Sequence, residues 1–100
     1  MVLEHAVIHI KLGVSREFEE AVAEGKSVVA ESEGFISLSL SRCIESPDSY
    51  LLMIQWRSLE DHTVGFRESE RFTRWREIVG PYFESSPEVL HLAPVEGLVA

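Results

Sequence analysis

From Val2 to Leu12 nearly every position, of either parity, is apolar or a histidine, which predicts a central strand covered on both faces. Gly13-Val14 turns the chain, and Ser15 is placed to cap a helix. Phe18, Ala21, Val22, Gly25, Val28 and Val29 then recur at three- and four-residue spacing, with Glu17, Glu19, Glu20, Glu24 and Glu31 on the other side. This is an amphipathic helix ended at Gly34. Gly25 in mid-helix costs about 1 kcal/mol against alanine, so close packing on a sheet is expected there. From Phe35 to Glu45 the chain alternates, with Ile36, Leu38, Leu40 and Ile44 on one face and Ser37, Ser39, Ser41 and Cys43 on the other. Ser46-Pro47-Asp48-Ser49 is turn chemistry, and Tyr50 to Trp56 forms the second strand of a hairpin. Ser58 and Asp61 resemble a capping box that opens a short helix through Phe66. Ser69 is placed to cap another, with Phe72, Trp75, Arg76 and Val79 on its inward face and Gly80-Pro81 at its end. Glu88 to Val95 reads as a last strand.

The order β-α-β-β-α-β is the split βαβ arrangement, a ferredoxin-like α+β fold in one domain spanning residues 1–100. Right-handed crossovers place the first and third strands at the centre of a four-stranded antiparallel sheet. Helices cover one face only. The apolar residues of both parities in the central strands call for a lid on the other, and a second copy of the chain in a two-fold homodimer is the simplest one.

Composition narrows the functional classes. A formal charge of −8 argues against nucleic acid as a partner, because phosphate contacts require clustered cations. The arginines at 67, 71, 74 and 76 are interleaved with Glu68, Glu70 and Glu77, the pattern of a solvated helix face. No apolar run reaches the ~20 residues of a bilayer span, so no membrane partner is expected. The single cysteine, Cys43, excludes an internal disulfide and reads as inert packing on a small-residue strand face. With no signal-peptide pattern at Met1-Val2-Leu3-Glu4-His5, the expected location is the cytoplasm.

The stretch Trp56-Arg57-Ser58-Leu59-Glu60-Asp61-His62-Thr63-Val64-Gly65-Phe66, between the strand Tyr50–Gln55 and Ser69-Glu70-Arg71-Phe72, resembles the antibiotic biosynthesis monooxygenase family. The resemblance extends to the opening strand and the Gly34-Phe35 step, and it implies a dimeric α/β barrel. It fixes function less well, since the family includes cofactor-free oxygenases of aromatic polyketides, quinol oxygenases, heme-degrading enzymes and proteins without known activity.

Three residues are candidates for catalysis. His62 shares a helical stripe with Leu59, Thr63 and Phe66, so it points inward, either as a general base or as a histidine bonded to a backbone carbonyl. Arg76 on an apolar stripe needs an anion or a carboxylate, or else it snorkels to water; the resemblance implies stabilisation of an enolate or peroxide anion. Trp56 either stacks on a flat substrate, as the resemblance implies, or packs as a core tryptophan. Tyr50, Leu52, Phe66, Phe72 and Trp75 are the expected walls of a substrate pocket, and His5 is expected at its mouth, where a related family of dimeric barrel cyclases uses a histidine. His5 and His9 lie about 13 Å apart along one strand, too far to share a metal. No spacing for a metal, phosphate loop or dinucleotide fingerprint occurs, and no cofactor is expected.

Two departures bear on the resemblance. Leu52 stands where the polyketide oxygenases carry asparagine. Arg76 and Phe66 stand where the heme degraders carry their axial histidine and catalytic tryptophan, and their first-strand asparagine has no match. The expectation is a cofactor-independent monooxygenase for a small planar aromatic or quinol. A dimeric ligand-binding or stress-response protein without turnover is the alternative, and heme degradation is a weaker third reading.

Overall fold

A computed structural model of the protein describes residues 1–98. Strands β1 (Val2–His9), β2 (Phe35–Arg42), β3 (Ser49–Trp56) and β4 (Glu88–Leu92) form one antiparallel sheet in the order β2-β3-β1-β4. Helix α1 (Ser15–Ala30) connects β1 to β2, and a π-helical turn (Asp61–Phe66) and helix α2 (Glu70–Val79) connect β3 to β4. This is the expected ferredoxin-like α+β arrangement with β1 and β3 at the centre.

The two central strands are in register from Val2 opposite Trp56 to His9 opposite Ser49. Because side chains alternate along a strand, this register fixes which residues face the helices. Glu4, Ala6 and Ile8 of β1 and Tyr50, Leu52, Ile54 and Trp56 of β3 are buried beneath them. Phe18, Val22 and Val29 of α1 and Trp75 and Val79 of α2 complete the core. Each fully buried side chain of this size contributes about 1.5–3 kcal/mol. Leu3, His5, Val7, Leu51 and Met53 take the other parity, on the open face of the sheet, with Leu90 and Leu92 of β4 exposed beside them.

Several local expectations are corrected. Gly25 packs on a helix, not on the sheet: a Cβ there would lie 2.7 Å from Cε3 of Trp75 in α2. A bulge between Phe35 and Ser37 breaks the alternation of β2, so Phe35 packs edge-on against Trp56 at 6.1 Å and Ile36 is exposed. The strand ends at Arg42, which leaves Ile44 and Cys43 in solvent and gives Cys43 no packing role. Ser15 is the first residue of α1 and does not cap it; its hydroxyl accepts from Arg42 Nη2 at 2.9 Å. Ser69 precedes α2, but its hydroxyl donates to the Phe66 carbonyl at 2.6 Å. Strand β4 stops at Leu92 because it pairs only with β1, up to Leu3.

Two contacts anchor the connection that carries the site. Gly34 has φ +82°, and the Asp61 side chain occupies the place where its Cβ would be. The Arg57 N–H donates to the Gly34 carbonyl at 2.7 Å. The Ser58 hydroxyl accepts from the Asp61 N–H at 3.2 Å and donates to its carboxylate at 3.0 Å, which starts the turn where the capping pattern predicted.

Candidate active site

A cavity of about 440 Å³ lies between the helix-facing side of the sheet and the α2 layer. Its floor is Glu4, Ala6 and Ile8 of β1, Leu52 and Ile54 of β3 and Val89 of β4, and its roof is Phe66, Phe72 and Trp75. Arg67, Arg76 and the segment Glu84–Pro87 border it. The size and the apolar lining suit a small organic molecule.

Among the described residues, Glu4 is the carboxylate on the floor, with Glu84 at the border, and it is 6% exposed. A buried carboxylate requires donors. Trp56 Nε1–H donates to its Oε1 at 3.0 Å, and His62 Nε2 lies 3.2 Å from the same oxygen. On the far side of the ring, His62 Nδ1 is 2.7 Å from Nε2 of His91, and these two nitrogens share one hydrogen. The register explains this meeting, since β4 places His91 directly opposite Glu4, on the same face of the sheet. Trp56 lies beneath the group and stacks on His62 with centroids 5.4 Å apart and planes 18° from parallel.

Burial dominates the electrostatics. It raises the Glu4 carboxyl above its ordinary 4.5, opposed by the hydrogen bond from Trp56 and by the charge of Arg67. Burial, then Arg67 and His91, push His62 from 6.5 down to about 4. Burial and Arg67 also lower His91. His62 is therefore a neutral imidazole at neutral pH, one nitrogen carrying the proton and the other accepting. When Glu4 is ionised, a proton on His62 Nε2 faces it at 3.2 Å without hydrogen-bond alignment, and His91 donates to His62 Nδ1. When Glu4 holds the proton, the His62–His91 bond runs the other way.

The structure brings His62, Arg76, Leu52, Phe66, Phe72 and Trp75 to one cavity. Arg76 is exposed at the cavity border with its guanidinium 5.8 Å from the Phe72 ring centroid, and among the described residues no carboxylate forms an ion pair with it. Trp56 is fully buried and supports the cavity from behind without lining it. His5 is not at the mouth: Glu4 points inward, so its neighbour in the strand points to the open face. Tyr50 is at the other end of the core, its ring on Phe18 and its hydroxyl donating to Glu19 at 2.6 Å. Glu4, His91 and Arg67 were not anticipated. One signal for Glu4 was available, a lone carboxylate sharing its parity with Ala6 and Ile8.

The family model for antibiotic biosynthesis monooxygenases matches residues 1–78. The chain belongs to this family. The match takes in Glu4, Trp56, His62 and Arg76 but ends before His91. The Bacillus subtilis protein YczJ, itself uncharacterized, is 39% identical over 95 residues, covering 95% of this chain and 100% of YczJ. A crystal structure from Bordetella bronchiseptica, assigned to the antibiotic biosynthesis monooxygenases, is 34% identical with a TM-score of 0.92, covering 94% of this chain and 96% of that one. SnoaB of Streptomyces nogalater, a cofactor-independent oxygenase, is 19% identical with a TM-score of 0.79 and coverage of 97% and 95%; it shares the fold.

Proposed function

We propose that the protein is a cofactor-independent monooxygenase acting on a small planar aromatic or quinol substrate. The observation that carries this reading is a buried acid–base pair, Glu4 with His62, opening onto an apolar cavity bordered by the guanidinium of Arg76. An anthrone-like methylene gives up a proton, and the resulting anion is electron-rich enough to reduce dioxygen itself. Carbon–oxygen bond formation gives a peroxide anion, which takes up a proton and loses water. The methylene becomes a carbonyl, one oxygen atom leaves as water, and no further reductant enters. The chain supplies a dry cavity, a proton acceptor and a counter-charge for the anion. Phe66 and Phe72 offer aromatic faces to a flat ring, and the SnoaB precedent supports chemistry of this kind on the fold.

The working unit in this reading is a homodimer closed over the open sheet face, where Leu3, Val7, Leu51, Met53, Leu90 and Leu92 otherwise meet water. An obligate interface of this kind buries ~1,600 Å² or more. The test is oxygen uptake with a panel of hydroquinones and anthrones, on wild type and on His62→Ala. Uptake with at least one substrate, lost in the variant, is expected. Saturable binding of the same compounds with no uptake would make the protein a binding module instead.

A further inference from the structure

We propose that Glu4, His62 and His91 form a proton relay between the cavity and bulk water, with Oε2 of Glu4 as its ligand-facing end. The relay rests on the oxygenase reading only for the source of the proton. Its geometry stands alone.

His62 Nε2 lies 3.2 Å from Oε1 of Glu4, a contact without hydrogen-bond alignment, and Nδ1 is hydrogen-bonded to His91 at 2.7 Å. A ligand therefore finds Nδ1 taken and Nε2 facing the Glu4 carboxylate. Glu4 differs. Its Oε1 accepts from Trp56 and lies beside His62 Nε2, whereas Oε2 has no hydrogen bond among the described residues. No buried side-chain oxygen or nitrogen among the described residues lacks a partner, so Oε2 is accessible, and Glu4 lines the cavity. At the other end, His91 is an exposed residue of the edge strand that does not line the cavity, and its Nδ1 has no hydrogen bond among the described residues. The charged groups around His62 are Glu4, Arg67 and His91, with Trp56 stacked on its face.

The proton count closes. Consider Glu4 protonated at Oε1, which faces His62 Nε2 across 3.2 Å, with His62 Nδ1–H donating to His91 Nε2. As a ligand proton arrives at Oε2, the Oε1 proton moves to His62 Nε2 and the Nδ1 proton to His91 Nε2. The imidazolium formed at His91 releases its Nδ1 proton to water. One proton has entered and one has left, and each group keeps its original charge. Glu4 then gives the Oε2 proton to the peroxide anion. Water reloads the chain through His91 in the reverse direction.

The experiment is exchange of the His62 ring N–H with water, followed by ¹⁵N NMR on the full-length chain in wild type, His91→Gln and Glu4→Gln. A proton crosses from one His62 nitrogen to the other only when both neighbours take part, so each variant is expected to slow exchange at least tenfold. A merely structural role predicts the opposite sign, because loosening the site admits water and speeds exchange. Unchanged or faster exchange in His91→Gln, a surface variant that leaves the core intact, would overturn the relay. Slowing in His91→Gln without slowing in Glu4→Gln would overturn Glu4 as its inner end. Where a quinol or anthrone is turned over, His91→Gln is expected to lower kcat about tenfold, with recovery on adding free imidazole. Absence of turnover with slowed exchange would remove the oxygenase reading and leave the relay standing.

Discussion

Replacing His62 with glutamine keeps a polar side chain beside Glu4 and removes a group that titrates. His62 is 1% exposed and its imidazole is pushed from 6.5 to about 4. Between those values the unfolded chain binds a proton at this position and the folded chain does not, so stability rises with pH. The contribution is fully present above 6.5 and is lost as pH falls toward 4. Each pH unit of displacement is worth about 1.4 kcal/mol, which gives about 3 kcal/mol over the whole window and roughly 2 kcal/mol between pH 7 and 4.5. Glu4 works in the opposite direction: its carboxyl is raised, so its contribution is present below 4.5 and is lost as pH rises through the folded value. Glu4 remains in both proteins and largely cancels in the difference.

The assay is urea unfolding of wild type and His62→Gln at half-unit steps from pH 7.5 to 4.5, plotted as the difference in unfolding free energy. Wild type is expected to lose roughly 2 kcal/mol relative to the variant on acidification, a large share of the 5–15 kcal/mol typical of a domain. At an ordinary urea dependence this moves the midpoint by about 1 M. A difference curve flat to within about 0.5 kcal/mol would mean that His62 titrates normally in the folded state, and the buried neutral imidazole would have to be abandoned.

Gly25→Ala should destabilise the protein by a net ~1–2 kcal/mol in urea unfolding, because the added methyl falls 2.7–2.8 Å from ring atoms of buried Trp75 and outweighs alanine's helical advantage. Trp56→Phe removes the N–H that holds down the Glu4 carboxyl, so ¹³C NMR should show Glu4 titrating at higher pH than in wild type. Wild type should sediment as a dimer at micromolar concentration and Leu90→Glu as a monomer, since that substitution places a charge on the open sheet face; a wild-type monomer would refute the dimer.

The parts of the fold that were legible depend on local periodicity. The alternation of Tyr50, Leu52, Ile54 and Trp56 and the stripe of Phe72, Trp75 and Val79 each fix a face without reference to the rest of the chain. His62 and Arg76 were found because each interrupts such a stripe. What failed depended on register. Tyr50 and Trp56 share a face of β3, but six residues of strand separate them by about 20 Å, so one cavity cannot reach both. His5 was misplaced because β1 is apolar on both faces and its parity is set only by pairing. The pairing of Glu4 with His91 joins residues from opposite ends of the chain, and no local pattern encodes it.

The same pairing bears on Leu52, where this chain departs from the asparagine of the polyketide oxygenases it resembles. Leu52 sits on the cavity floor beside Ala6, Ile8, Ile54 and Val89, so β3 presents no polar atom to a ligand there. The polar group is one strand away. Ala6 pairs with Leu52 and Glu4 with Ile54, which places the carboxylate one step diagonally from the leucine. A shared fold transmits the shape of the cavity, whereas its chemistry depends on which lining positions carry polar atoms. In this chain those atoms enter from β1 and are held by β4 and the π-helical turn. Under the proposed function, a ligand would meet a carboxyl that can take or give a proton, where an amide could only share one. That difference favours substrates whose reaction begins with proton loss over substrates that need only to be held.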